Sequence, residues 1–222
     1  MMDFHISLSP DGAAGGWNAA LALRCAALAG LRFAGLVLPS DGTDFSRVAS
    51  LAAGVRRLSL YANVEARMGV ELRYVPPALL PSAVKEARAA GAELVLVYGE
   101  TIGDQVEVGT NIAAIEAGAD ILAHPGLVDE ETAAFAAERG VALELTSCAR
   151  HGLTNAETAA MALRFGCPLV RGSAASRPEE LAARTFWSLA IKGADVFGKE
   201  NGKSNLLNFL RNSEESLVRK LT

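Results

Sequence analysis

Short apolar runs alternate along the chain with alanine-rich stretches of helical periodicity. Turn residues bound most runs, and this alternation is typical of repeated βα units around a parallel sheet. Most runs are apolar throughout, as strands covered on both faces must be. The pattern predicts seven strands: Asp3 to Ser7, Phe33 to Leu38, Leu58 to Leu72 with an irregular middle around Ala62 to Met68, Leu94 to Tyr98, Ile121 to His124, Val141 to Leu145, and Leu169 to Ser173.

Helix start and stop signals separate these runs. Residues that can cap free amide groups precede the alanine-rich segments, at Ser82, Thr110, Asp129 and Thr154. Glycines follow them where a left-handed stop is favoured, at Gly91, Gly118, Gly140 and Gly166. Helix, glycine, strand and loop repeat without a linker. The sequence therefore predicts one α/β domain over residues 1–222, a barrel or a sheet, with C-terminal helices at about 179–220 that the polar stretch 198–205 joins.

Composition narrows the classes of function. The chain has 222 residues, 50% hydrophobic and 21% charged, which supply a core and exclude intrinsic disorder. It contains no apolar run of the ~18 to 20 residues that a membrane span needs, no signal-peptide pattern, and three cysteines without CxxC spacing. A net charge of -4 disfavours nucleic acid. We expect a cytoplasmic protein with small ligands and no membrane or nucleic-acid partner.

Histidine and glutamate residues occur where predicted strands end. His5, Glu71 and His124 hold such positions, and Glu100 and Glu144 follow or end two further strands. The C-terminal ends of parallel barrel strands converge, so His5, Glu71 and His124 could offer ligands to zinc, manganese or iron. The alternative is that each histidine only hydrogen-bonds a nearby loop carbonyl.

Several segments resemble motifs of a known family. DFHISLSPDG, GVELRYVPP, VYGETI with GTNIAAIEAGADILAHPG, and RHGLTN look like successive motifs of the PHP (polymerase and histidinol phosphatase) family, particularly its small histidinol-phosphatase-like members. The similarity spans most of residues 3–181. It implies a distorted (β/α)7 barrel that binds up to three divalent metals at the C-terminal strand ends and hydrolyses phosphate esters.

The chain departs from the metal motifs that this resemblance implies. Expected ligand positions carry other residues, namely Ser7, Ser40, Tyr98, Ala174 and Ser176. The comparison keeps His5, Glu71 and His124, with Glu100 and His151 nearby as candidates that either support the ligands or face the substrate. Three side chains cannot hold three mutually repelling cations. We therefore expect no tightly bound metal, and the alternative is one divalent ion (zinc, manganese or iron) at His5, Glu71 and His124.

Arginine residues can replace the lost cations. Arg73 follows Glu71 by two residues, hence on the same strand face, and Arg171 is near the end of the seventh strand. A guanidinium there can neutralise Glu71 or bind a phosphate or carboxylate, with Arg150 and His151 assisting. The alternative is that these arginines are solvated rim residues.

These residues predict a PHP-like barrel with a decayed metal centre that binds a small phosphate- or carboxylate-bearing ligand. The alternative is an active metal-dependent phosphoesterase with a reduced metal site. A structural barrel with a protein partner is a third alternative, and the sequence assigns neither catalytic residues nor an oligomeric state.

Overall fold

The fold is that of a computed structural model, which describes residues 1–9, 17–181, 184–195 and 206–221. The stretch 198–205, predicted to join two C-terminal helices, lies outside the described residues. Among the described helices, none combines the length and apolarity needed to cross a membrane.

Seven strands lie side by side in chain order. They are β1 (Met2–Ser7), β2 (Phe33–Ser40), β3 (Glu65–Leu72), β4 (Leu94–Tyr98), β5 (Ile121–Ala123), β6 (Ala142–Thr146) and β7 (Leu169–Gly172). Each neighbouring pair is parallel. Ile6 forms a parallel bridge to Ala175 just beyond β7, so the sheet curls into a nearly closed barrel. The predicted seven-stranded α/β barrel is confirmed.

Helices fill the crossovers between strands and extend the C-terminal end. They are α1 (Ala19–Leu28), α2 (Val48–Ala62), α3 (Leu80–Ala89), α4 (Thr110–Glu116), α5 (Glu130–Arg139), α6 (Asn155–Phe165), α7 (Arg184–Ala194) and α8 (Leu206–Leu221). Short 3-10 turns occur at Pro77–Leu79, Gly152–Thr154 and Pro178–Glu180. The predicted Asp129 cap is confirmed, because its carboxylate accepts the Thr132 amide at 2.8 Å.

The predicted start of the third strand is wrong. Residues 58–62 form the last turn of α2, and β3 begins at Glu65. Asn63 ends the helix in the left-handed conformation at φ 55°, which asparagine tolerates better than most residues. Leu60 and Tyr61 are exposed, so the apolar residues that suggested a buried strand here are on the solvent side of the helix.

Alternate strand residues fill the barrel interior. The lower layers are apolar and include Phe4, Leu94, Leu96, Ile121, Ala123, Ala142 and Val170. Leu217 of α8 joins the same cluster, beside Met2 and Phe33 at the strand starts. Helix α8 therefore covers the amino-terminal end of the barrel. The opposite end, where the strands finish, carries buried polar side chains.

Candidate functional site

An irregularity in β1 aims His5 at the centre of the barrel mouth. The pairing of β1 with β2 shifts register between Asp3 and Ile6, as a β-bulge does. The buried Asp3 carboxylate accepts the His5 amide at 3.0 Å and the Ser173 amide at 3.1 Å. These bonds satisfy backbone donors where the regular ladder is interrupted. They also tie β1 to the loop after β7.

His5 lies between two buried carboxylates. Its Nε2 is 3.2 Å from Glu71 Oε1, and its Nδ1 is 3.0 Å from Glu144 Oε1. The other Glu144 oxygen accepts the backbone amide of His124 at 3.0 Å and lies 3.2 Å from His124 Nδ1. All four side chains are at most 1% exposed. We call His5, Glu71, His124 and Glu144 the mouth cluster.

Some atoms of the mouth cluster lack hydrogen bonds. Within the described part of the chain, His5 Nε2, Glu71 Oε1 and His124 Nδ1 are buried without a hydrogen-bond partner. The 3.2 Å contacts of His5 Nε2 with Glu71 and of His124 Nδ1 with Glu144 are close enough for ion pairing but poorly aligned for a hydrogen bond. One ligand atom from each of these residues lies within 4.8 Å of the other two. Such a set could take one metal ion, since three ligands and an open position suit catalytic zinc.

The cluster can also balance its charge with protons and arginine. Burial disfavours a charged His5, but the Glu71 and Glu144 carboxylates outweigh it and raise the His5 pKa to about 10. Burial likewise opposes ionisation of Glu71, but His5 and Arg73 lower its pKa to about 2. Burial lowers the pKa of His124 to about 4, so this imidazole is neutral at pH 7. Two carboxylates thus face two cations, His5 and Arg73.

Arg73 is the second cation of this charge balance, and it lies at the solvent side of the mouth cluster. Its Nε and Nη2 lie 2.8 Å and 2.6 Å from the same Glu71 oxygen, Oε2. The guanidinium also stacks over the Tyr98 ring at 5.4 Å. Its side chain stays 34% exposed, so one side is fixed by the cluster and the other faces solvent. The prediction that Arg73 shares a strand face with Glu71 and neutralises it is confirmed.

We expect the chelator-treated protein to lose stability as pH rises from 6.5 towards 10. The folded His5 pKa of about 10 lies above its ordinary value of 6.5, so its stabilisation is complete below pH 6.5 and lost as pH approaches 10. Urea midpoints measured across this range for wild type and His5→Gln would show a decline that is flatter in the variant. Parallel profiles would contradict the assignment.

Two rings cover His124. The His151 ring stacks on the His124 ring with centroids 4.2 Å apart, and the Tyr98 ring meets His124 edge-on at 5.2 Å. Thr101 Oγ1 lies 2.7 Å from His151 Nδ1, and the Tyr98 hydroxyl lies 3.1 Å from His151 Nε2. Tyr98 donates to Asp104, which also pairs with Arg150. These bonds clamp the loops after β4 and β6 together above His124.

Glu100 lies outside the mouth cluster. Its carboxylate accepts the amides of Gly109 and Asn111 at 3.1 Å and 2.8 Å and so caps α4. Asn111 returns the contact by accepting the Glu100 amide at 2.9 Å. Gly126 packs against the Glu100 carbonyl so closely that a Cβ atom would lie 1.9 Å from it. The GTN residues and Gly126 therefore shape this loop and the start of α4.

Arg171 also lies away from the mouth. It points outward from β7 and pairs with Glu214 of α8, and the pair is buried.

Arg150 and His151 do reach the mouth, beside Arg73. Ser40 is the last residue of β2, and its hydroxyl accepts the Gly42 amide of the following loop at 3.1 Å.

A cavity of about 780 Å³ opens above the mouth cluster. His124 and Arg73 line it, together with four of the expected ligand positions, Ser7, Tyr98, Ala174 and Ser176. Three residues just past strand ends here hold positive φ angles without being glycine, namely Tyr74, His124 and Ala174. Each such residue costs about 1 to 3 kcal/mol, and such strain concentrates at binding and catalytic sites.

Sequence reasoning noted Glu144 at a strand end but gave it no role, and it missed Asp3. A signal for Glu144 was available. A single acid between Leu143 and Leu145 in a buried strand must face the barrel interior if both leucines face the helices. Asp3 gave no comparable signal, because its role depends on a bulge that only the pairing reveals.

The fold and the site together define an α/β barrel with a buried ionic cluster at its mouth. No model of a known protein family matches the chain. An uncharacterized protein of Methanocaldococcus jannaschii, MJ1295, is 40% identical over 134 residues, which cover 60% of this chain and 62% of that protein. The match thus spans less than two thirds of that relative's length.

Solved structures resemble the chain in fold. A chain in the cryo-EM structure of archaeal Ribonuclease P with mature tRNA superposes with a TM-score of 0.67 at 17% identity, covering 100% of this chain and 91% of that one. Adenine deaminase from Arthrobacter aurescens gives a TM-score of 0.47 at 14% identity over 78% of this chain and 66% of its own. At these identities the likeness concerns the fold alone.

Proposed function

We propose that this barrel binds a small phosphate- or carboxylate-bearing molecule at its mouth. In this proposal the His5 proton and the Arg73 guanidinium stand where the resemblance to PHP proteins implies metal ions. The charge balance of the mouth cluster supports it, because the two buried carboxylates already have two cationic partners. A metal cluster would have to displace the proton and compete with the arginine.

The geometry of Arg73 is the observation that carries this proposal. Glu71 fixes the guanidinium through two donors on one oxygen, and other N–H donors are left for a ligand in the cavity. A preorganised guanidinium loses little conformational freedom when it binds an anion bidentately. Arg150 is a second cation on the cavity wall, although Asp104 partly neutralises it.

Arg73→Gln is expected to weaken inorganic phosphate binding by about tenfold or more, because a charge-assisted hydrogen bond contributes ~1.5 to 3 kcal/mol. Isothermal calorimetry at millimolar phosphate measures this. Arg164→Gln is the matched control, since Arg164 pairs with Glu130 on the exposed surface. If Arg73→Gln unfolds, Arg73→Lys keeps the charge and should retain part of the affinity. Equal affinities in wild type and both Arg73 variants would refute the proposal.

A second candidate function is hydrolysis of phosphate esters with one metal ion. The partnerless buried atoms of His5, Glu71 and His124 favour it specifically. An ion held there would supply Lewis-acid activation of water and phosphate. In that case Glu144 would hold the His124 backbone through its amide, and Arg73 would orient the phosphate.

Elemental analysis separates the two candidates. We expect less than about one transition-metal ion per chain in protein purified without chelator or metal-affinity resin, because few ligands are present. Phosphomonoester hydrolysis should stay near background with added manganese or zinc. Stoichiometric metal, together with turnover that His124→Ala abolishes, would instead establish the second candidate.

A further inference from the structure

The mouth cavity has a wall whose chemistry differs from that of Arg73. This wall follows the ends of β6, β7 and β1, which are neighbours in the nearly closed barrel. Arg73 follows β3, and β2 separates it from β1. Ser147 and Ser7 stand at the two sides of the wall, and we call them the hydroxyl pair.

The hydroxyl pair lacks protein partners. Over the described ranges, Ser147 Oγ is buried without any hydrogen bond. Within the same ranges the Ser7 hydroxyl has no hydrogen bond either, but it is not one of the fully buried atoms, although the residue as a whole is 4% exposed. Both backbones are fixed, because the Ser7 amide donates to Ala175 at 2.9 Å and the Ser147 amide donates to Gly172 at 3.0 Å. Buried hydroxyls that the protein leaves unsatisfied are costly unless something else bonds them. Both residues line the cavity, so a ligand can bond the Ser7 hydroxyl directly and the Ser147 hydroxyl once that buried group turns towards the cavity.

The rim above the hydroxyl pair disfavours a second anionic group. Glu179 and Glu180 line this part of the cavity, whereas Arg73 belongs to the loop after β3, and Arg150, which follows β6 on this wall, is already paired with Asp104. The Phe186 ring, 46% exposed, adds an apolar surface. A group that fits here is uncharged and both donates and accepts hydrogen bonds, as serine hydroxyls and carboxylates require. Alcohol groups on a short carbon skeleton meet these conditions.

We infer that the ligand is a phosphorylated polyol such as a sugar phosphate, with its phosphate on Arg73 and its hydroxyls on Ser7 and Ser147. This inference rests on the anion-binding function proposed above. A cavity of about 780 Å³ is large enough for such a molecule. The two ends of the ligand are recognised by different residues, so their contributions can be measured separately.

Calorimetry with ribose 5-phosphate, inorganic phosphate and ribose tests the inference. Ribose 5-phosphate is expected to bind at least about tenfold more tightly than inorganic phosphate, and ribose alone only weakly. Ser147→Ala and Ser7→Ala should each reduce the advantage of ribose 5-phosphate by about 2- to 10-fold, the range for one hydrogen bond, and leave phosphate affinity unchanged. Ser82→Ala on α3 is the matched control, because its hydroxyl bonds the Leu79 carbonyl away from the cavity.

The outcomes distinguish the two proposals. If phosphate binds but ribose 5-phosphate binds no better, or its advantage survives in the Ser7→Ala, Ser147→Ala double variant, the sugar-phosphate inference is overturned and anion binding stands. If neither phosphate nor ribose 5-phosphate binds, both proposals fail. Loss of the hydroxyl from Ser147 removes no protein hydrogen bond and relieves a buried unsatisfied group, so Ser147→Ala should melt at the wild-type temperature or above it. Binding data from this variant can then be compared directly with wild type.

Discussion

Glu214→Ala is expected to lower the free energy of unfolding by about 3 to 5 kcal/mol. Arg171 Nε donates to one Glu214 oxygen at 2.6 Å and Nη2 to the other at 2.5 Å. The two side chains are 8% and 1% exposed. Removal of the Glu214 carboxylate leaves the positive charge of the buried Arg171 guanidinium without a negative partner. It also removes a bond that holds α8 against β7, where the helix covers one end of the barrel.

Urea denaturation of three variants measures this effect. Glu215→Ala on the same helix is the matched control, because Glu215 is 46% exposed and its pairs with Arg32 and Arg219 are long. It should change stability by no more than about 0.5 kcal/mol. The double variant Arg171→Met, Glu214→Leu should recover most of the loss, since apolar residues can replace a buried ion pair. Equal urea midpoints for Glu214→Ala and Glu215→Ala would contradict this account.

Gly172→Ala is expected to destabilise the protein by about 3 kcal/mol or to prevent folding. A Cβ atom on Gly172 would lie 1.6 Å from Glu144 Oε1 and 2.7 Å from the His5 Cβ. Both of those side chains are buried, so neither can move into solvent. The substitution would therefore push Glu144 and His5 apart at the centre of the mouth cluster.

Two measurements report this change. Thermal unfolding gives the loss of stability, and phosphate calorimetry on any folded fraction gives the loss of binding. Gly54→Ala is the matched control, since Gly54 is inside α2 and no atom lies within 4 Å of its added Cβ. That variant should be more stable by roughly 0.5 to 1 kcal/mol. A Gly172→Ala protein as stable as Gly54→Ala would mean that the mouth cluster is not packed as described.

These two predictions concern opposite faces of one short strand. Val170 and Gly172 face the barrel interior, whereas Arg171 faces α8. The expectation that Arg171 would bind an anion used only its closeness to the strand end. Successive side chains of a strand point to opposite faces, so either Arg171 or its two neighbours could face the barrel interior. The sequence alone does not decide which. Gly172 decides the choice, because the Glu144 carboxylate fills the space that a side chain would need.

The number of strands was readable from the sequence. Buried parallel strands need nearly continuous apolar runs, and glycines with positive φ follow the helices at positions 91, 118, 140 and 166. Of the predicted caps only Asp129 forms, because α3 begins before Ser82, Gly109 precedes α4 and Thr154 makes no cap bond. The pairing of Arg73 with Glu71 was predictable, since residues two apart on a strand share a face. The boundary at Asn63 was not, because an apolar helix end and a strand look alike over a few residues.

The assembly of the mouth cluster required the tertiary structure. Its members come from β1, β3, β6 and the loop after β5, and only barrel closure brings His5 within 3.2 Å of Glu71 and 3.0 Å of Glu144. The partnerless hydroxyl of Ser147 and the capping role of Glu100 are equally invisible in the chain, because both depend on which groups lie nearby in space. Sequence fixes the residue types at strand ends, but their charges and partners depend on distances between segments far apart along the chain.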